Sequence, residues 1–109
     1  MQNQSPFLAM QRVEGQIKNL LRAVDTELLE PAEKKAAASL RRLATDTRLD
    51  IRDYELSETR EDQLKCAVAA KKRLAKLEKA ILAAGPAVFG PADVAQLSAQ
   101  LEQIDSRLI

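Results

Sequence analysis

Two pairs of carboxylates in the chain have the spacing of metal ligands. Glu27 and Glu30 lie three residues apart, and so do Asp50 and Asp53 further along the sequence. Carboxylates at positions i and i+3 share one face of a helix, and pairs of them suit a hard cation such as Mg²⁺. The chain has no His and a single Cys, and we expect no metal site; these four carboxylates are the alternative.

The order of the two pairs resembles the E-x-x-E and E-x-x-D motifs of the all-α nucleotide pyrophosphohydrolases related to MazG. In that family, magnesium-bound carboxylates hold a nucleoside triphosphate, so the resemblance implies a Mg²⁺-dependent enzyme of this kind as one alternative function. The sequence departs from the family in having Asp50 in place of Glu and Pro31 directly after Glu30, where the family continues its helix. Acidic pairs with the same spacing recur elsewhere, as at Glu55 and Glu58, which favours ordinary surface carboxylates.

Basic residues in the middle of the chain carry a second possible chemistry, contact with nucleic-acid phosphates. They are Arg41, Arg42, Arg48, Arg52, Lys71, Lys72 and Lys76. Proteins that bind single strands usually add aromatic stacking to such charges, whereas this chain has two Phe, one Tyr, no Trp and a net charge of only +1. Aspartates interleave with the arginines, which is typical of a solvated helix face. A small helical nucleic-acid-binding regulator is therefore the second alternative.

The apolar residues repeat at the alternating three- and four-residue spacing of packed helices, which predicts an all-α, up-and-down four-helix bundle. The predicted helices cover about 6–29, 31–56, 58–84 and 91–108, in one domain spanning residues 1–109. Proline suits the first turn of a helix, and it stands at positions 6, 31 and 91. Gly85 and Pro86 are expected to end the third helix, and Phe89 to pack against Val94 at the start of the fourth.

The boundary between the second and third helices depends only on polar residues near Ser57 and Thr59. No Gly or Pro occurs between Ala32 and Ala84, so a single continuous helix in an oligomeric bundle is the alternative. The third helix also carries a wider apolar face than a coiled-coil seam, and we expect it to contact more than one neighbour. This face comprises Leu64, Ala67, Val68, Leu74, Ala75, Leu77, Ile81 and Leu82.

The composition of the chain indicates a folded protein with a small core. Of its 109 residues, 46% are hydrophobic and 30% are charged, whereas a disordered chain has fewer apolar residues and a larger net charge. No run of 18 apolar residues occurs, and the first residues do not form a basic and then apolar leader. Cys66, the single cysteine, fits a reducing compartment. We therefore expect a cytoplasmic protein without a membrane span.

Several residues that fall outside the predicted seams favour an interaction surface. They are Leu8, Gly15, Leu29, Leu49, Leu56 and Phe89. Gly15 falls on the outer face of the first helix, where Gly costs about 1 kcal/mol relative to Ala but lets another backbone approach. Because one bundle cannot bury all these leucines and catalytic side chains are scarce, the sequence predicts a non-catalytic protein–protein interaction or assembly module. Its expected partner is a second copy of the chain or another helical protein, with no cofactor.

Overall fold

The computed structural model describes residues 5–84 and 88–108. Within these ranges, the chain forms four α-helices and one short 3₁₀ helix, with no β-strand. The elements are α1 (Pro6–Ala23), the 3₁₀ helix (Thr26–Leu28), α2 (Pro31–Leu56), α3 (Arg60–Ala84) and α4 (Pro91–Arg107). Both α1 and α3 pack against α2 and against α4, so the helices form a ring. This arrangement confirms the predicted all-α four-helix bundle.

Consecutive helices of the bundle run antiparallel. In each pair of consecutive helices, hydrogen bonds join residues whose numbers rise in one helix as they fall in the other. These contacts are Phe7 to Glu55 and Glu14 to Thr45 between α1 and α2, Asp50 to Arg73 and Ser57 to Cys66 between α2 and α3, and Lys71 to Asp105 and Glu78 to Ser98 between α3 and α4. The topology is therefore up and down, as short connections favour.

The core follows a strict alternation of three- and four-residue steps in the two long helices. In α3 the buried residues are Ala67, Ala70, Leu74, Leu77, Ile81 and Ala84. In α2 they are Leu40, Ala44, Thr47, Ile51 and Tyr54. Alanines hold half of the buried positions in α3, and small side chains let neighbouring helices approach closely. The contact between α2 and α3 is accordingly the most extensive in the bundle.

The first helix ends at Ala23, so the prediction that it extends to residue 29 is wrong. Val24 adopts an extended backbone, with φ −83° and ψ 134°, which breaks the helix. The Asp25 carboxylate then accepts a hydrogen bond of 3.1 Å from the backbone N–H of Glu27 and starts the 3₁₀ helix. Asp favours such local bonds to its own backbone. Leu29, which follows the 3₁₀ helix, turns into the core as a result.

The break between α2 and α3 lies where the sequence predicts it, so the alternative of one continuous helix is wrong. Ser57 is extended, with φ −64° and ψ 131°. The Thr59 hydroxyl accepts a hydrogen bond of 3.1 Å from the backbone N–H of Asp62 and caps the start of α3. Polar caps thus end one helix and begin the next without a Gly or a Pro.

The last helix begins as predicted, with Gly90 as its N-cap and Pro91 in its first turn. Phe89 is buried, and Val94 packs against the core to which Phe89 belongs. The predicted end of the third helix at Gly85 and Pro86 lies outside the described residues. Among the helices of the described ranges, none has the length and the apolar character needed to cross a membrane.

Candidate interaction surface

A buried carboxylate ties α1 to α2. Glu14 is only 7% exposed. Its Oε2 accepts hydrogen bonds from the Thr45 hydroxyl at 2.7 Å and from Lys18 Nζ at 3.1 Å, and Arg48 Nε lies 2.7 Å from Oε1. Burial by itself raises the pKa of Glu14, but the hydrogen bonds from Thr45 and Lys18 and the charge of Arg48 outweigh it, so the pKa is lowered. The group is thus a charged structural link between two helices rather than a proton donor.

The structure separates the two acidic pairs that the sequence offers as metal ligands. Glu30 is the N-cap of α2, whereas Asp50 lies twenty residues further along the same helix, about 30 Å away at the helical rise. The Glu30 side chain accepts a hydrogen bond from the backbone of the first turn of α2, and the Glu30 backbone N–H donates one to the Glu33 side chain. Asp50 accepts a hydrogen bond of 2.9 Å from Arg73. The alternative in which Glu27, Glu30, Asp50 and Asp53 form one metal site within the chain is therefore wrong. Across residues 5–84 and 88–108, no group of three or more His, Cys, Asp or Glu side chains is placed to hold a metal ion.

The predicted basic residues do not form one continuous patch either. Arg48 turns inward to Glu14, and Lys71 donates to the Asp105 backbone oxygen at 3.0 Å. Arg52 pairs with its neighbour Asp53 at 3.3 Å. The remaining members divide between two surfaces: Arg41 and Arg42 lie beside α1, and Lys72 and Lys76 are exposed on α3. Because α1 and α3 occupy opposite corners of the ring, these two groups of cations are separated.

Two of the predicted surface residues belong to the core. Leu29 and Phe89 are both buried, so their assignment to an interaction surface is wrong. Leu29 does not lie on the outer face of the first helix because that helix ends at Ala23. Phe89 directly precedes the N-cap of α4, a position at which an apolar side chain commonly packs against the first turn of the helix.

The other predicted surface residues lie at or near the surface. Leu8 and Leu56 are exposed, Leu49 is half-buried, and Gly15 is exposed in the middle of α1. A Cβ added at Gly15 would meet nothing within 4 Å. No other segment of the described chain therefore uses the space at this glycine.

An exposed apolar row on α3 was placed on the buried face by the sequence pattern. We name it the α3 outer line; it consists of Leu64, Val68, Ala75 and Leu82. Leu64, Val68 and Leu82 are 41%, 53% and 62% exposed, and Ala75 is exposed as well. All four lie within about 40° around the helix axis, over a length of about 27 Å. None of the four falls on the three-and-four alternation of the buried residues of α3, and packing against α2 and α4 sets which apolar residues of this helix are buried.

Charged residues border the α3 outer line differently on its two sides. On the side of α4, Lys71 is hydrogen-bonded to Asp105, and Glu78 is hydrogen-bonded to Ser98. There a groove of about 230 Å³ between α3 and α4 includes Ala75 and Glu102 in its lining. On the outer side stand Lys72, Lys76 and Lys79, all exposed, and within the described ranges none of these three lysines has an ion pair. The α3 outer line thus has a lysine edge on one side and an α4 edge on the other.

Comparison with known proteins gives no further information about these surfaces. In comparisons with protein-family models, curated proteins and solved structures, no match to this chain was found. The chemistry of the exposed side chains is therefore the basis for the functional proposal.

Proposed function

We propose that the protein is a non-catalytic assembly module that pairs with a second copy of itself along the α3 outer line. The observation that carries the proposal is the row of exposed apolar side chains at helical spacing, Leu64, Val68, Ala75 and Leu82. Rows of this kind are typical of surfaces that pack against another helix. Burying the exposed parts of Leu64, Val68 and Leu82 contributes about 3 kcal/mol from each copy.

The size of the surface supports a weak, concentration-dependent dimer. The line is about 27 Å long, and α3 and α4 together present a face about 20 Å wide. Two such faces bury roughly 1,000 Å², which is near the lower limit for a specific interface. Apolar burial alone does not offset the entropy lost on association, so charge complementarity has to contribute.

The charges beside the line favour a parallel arrangement of the two copies. A two-fold axis parallel to α3 keeps each residue at its height and brings the lysine edge of one copy to the α4 edge of the other. Ala75 and Glu102 line the same groove, so Lys76 of one copy stands at the height of Glu102 of the other. An axis perpendicular to α3 would instead bring the two lysine edges together, which like-charge repulsion disfavours.

Sedimentation equilibrium over a range of concentrations at low salt tests the proposal. We expect the wild-type chain to be partly dimeric and the Val68→Asp and Leu82→Asp variants to be monomeric, because a carboxylate on the line would be buried without a partner. Leu28→Asp is the matched control, since Leu28 is 81% exposed but lies on the 3₁₀ helix. A monomeric wild-type chain, or equal dissociation of the control, would overturn the proposal.

A charge exchange tests the arrangement of the two copies. We expect Lys76→Glu to weaken the dimer by about fivefold, the effect of an exposed ion pair. The double variant with Lys76→Glu and Glu102→Lys should recover wild-type affinity, because the reversed charges again face each other. If the double variant dimerises no better than the single variant, the parallel arrangement is wrong.

A further inference from the structure

A cluster of cations lies on the opposite side of the bundle, between α1 and α2. Lys18 and Arg22 of α1 and Arg41 and Arg42 of α2 line one open cavity of about 500 Å³. Thr45 and Asp46 complete its lining. The pattern of the sequence missed this cluster because its members come from two helices, and only the antiparallel register of α1 and α2 brings them together.

The negative charges nearest to this cavity are already engaged by cations. Glu14 accepts a hydrogen bond from Lys18 and is paired with Arg48, and Asp46 lies 3.6 Å from Arg73. The Thr45 hydroxyl donates to Glu14 as well. Within residues 5–84 and 88–108, Arg22, Arg41 and Arg42 have no carboxylate partner. Three guanidinium groups therefore line one cavity without a salt bridge within the described residues, and the one carboxylate in the lining, Asp46, is paired with Arg73.

The composition of the cluster favours a phosphate group over other anions. A guanidinium presents a planar fork of N–H donors that matches phosphate oxygens, and a dianion offsets the mutual repulsion of several cations better than a single carboxylate. The cations converge on one cavity from two helices instead of following an extended track. A compact terminal phosphate fits this arrangement better than the repeated phosphodiesters of a nucleic acid.

A second, mostly apolar cavity adjoins the first and shares Arg41 with it. Its volume is about 460 Å³, and its apolar walls are formed by Leu21, Val24, Leu29, Ala37 and Ala38. Thr26, Lys34 and Arg41 complete its lining. A ligand whose phosphate contacts Arg41 therefore has room to place an adjoining apolar portion in the neighbouring cavity.

We infer that the α1/α2 face binds a soluble phosphate monoester, with its phosphate among Lys18, Arg22, Arg41 and Arg42 and its short apolar chain in the adjoining cavity. This site lies away from the α3 outer line and uses none of its residues. Binding at the site and dimerisation are thus separate properties of the chain, and the failure of one leaves the other standing.

Titration of the ¹⁵N-labelled protein with hexyl phosphate at low salt, followed by NMR, tests the inference. We expect saturable shifts confined to α1 near Lys18 and Arg22 and to α2 near Arg41, Arg42 and Thr45. Hexyl phosphate should bind about tenfold more tightly than inorganic phosphate if two methylene groups are buried. Equal affinity for the two compounds would overturn the role of the apolar cavity.

Matched variants distinguish the site from unspecific charge attraction. The double variant Arg41→Gln and Arg42→Gln should weaken binding at least roughly tenfold, because hydrogen bonds to charged groups contribute that much. The control, Lys72→Gln with Lys76→Gln, removes the same charge from α3 and should leave affinity within about twofold. Equal weakening in the two double variants would contradict a defined site, and circular dichroism checks that both are folded.

Three further outcomes would overturn the inference. The first is the absence of saturable shifts at millimolar hexyl phosphate. The second is binding of a single-stranded oligonucleotide that lacks a terminal phosphate with no binding of hexyl phosphate, which would point to phosphodiesters. The third is binding only to phosphatidylcholine vesicles that contain phosphatidic acid, which would assign the cations to a membrane surface.

Discussion

At the scale of single residues, the most constrained group is Glu14. Its position in the sequence gives no sign of this, because a Glu in an amphipathic helix is usually solvated. The structure surrounds it with three partners from two helices, Lys18, Thr45 and Arg48. A buried carboxylate with several partners holds its helices in one register, and removal of either side of such a pair leaves the other side unsatisfied. Glu14 therefore acts as a structural link.

Replacement of Glu14 by Gln should destabilise the bundle by about 2 kcal/mol, because Arg48 loses its counter-charge in a largely buried position. Urea denaturation at neutral pH measures the change in the free energy of unfolding. Glu61→Gln is the control: Glu61 is exposed and lies 3.7 Å from Lys65, and such surface pairs contribute little. If Glu14→Gln is as stable as this control, the link between α1 and α2 has no energetic importance.

The lowered pKa of Glu14 also predicts how stability depends on pH. The folded-state pKa lies below the ordinary value of 4.5, so the unfolded chain binds more protons in the acidic range and stability falls as the pH is lowered. The contribution of Glu14 is complete above about pH 5 and is lost as the pH falls through the folded-state pKa. Denaturation curves at several acidic pH values should show a smaller loss of stability in Glu14→Gln than in wild type. Parallel losses in the two proteins would contradict the lowered pKa.

At the scale of elements, the predictions can be compared with the structure at the start and the end of each helix. The starts of α1, α2 and α4 follow from Pro in the first turn, a local preference that needs no tertiary contact. The predicted end of α1 at residue 29 was wrong because Val24 is compatible with a helix. The extended conformation of Val24 depends on Asp25 and on burial of Leu29. Local patterns thus predict both bounds of α2 and α4 to within one residue and fail at the end of α1.

Gly15 provides a prediction at this scale, because α1 is a continuous helix on both sides of it. The space for a Cβ at Gly15 is open, so Gly15→Ala should stabilise the protein by about 0.7 kcal/mol through helix propensity and the unfolded chain. Thermal denaturation measures the gain, with sedimentation in parallel. We expect dimerisation to be unchanged, since the proposed interface is on α3. Weaker dimerisation in Gly15→Ala would instead indicate that a partner approaches the backbone of α1.

At the scale of the whole molecule, the surplus of apolar residues is distributed unevenly around the bundle. The outer line of α3 is apolar, whereas the face between α1 and α2 is strongly basic. The two alternative assignments, a metal site and a basic patch, fail at this scale, since both required residues of distant segments to meet. The two surfaces that do form depend on which helices are neighbours in the ring.

Self-association along α3 predicts that thermal stability depends on protein concentration. Only the folded chain forms the dimer. Mass action should therefore raise the Tm by about 3 °C for a tenfold increase in protein concentration within the range where dimers form. Scanning calorimetry of wild type and of Leu82→Asp measures this. The variant should show a Tm independent of concentration, and a wild-type Tm without such dependence would count against the dimer.

Local sequence patterns specify the all-α class, the number of long helices, three of their starts and the break near Ser57, because apolar periodicity, proline and caps act over a few residues. Packing between helices sets the remaining features: the burial of Leu29 and Phe89, the exposure of Leu64, Val68 and Leu82, the pairing of Glu14 and the meeting of Lys18 and Arg22 with Arg41 and Arg42. These outcomes depend on the order and register of helices in the ring. Contacts between residues far apart in the chain set that order and register, and periodicity within one helix carries no information about them.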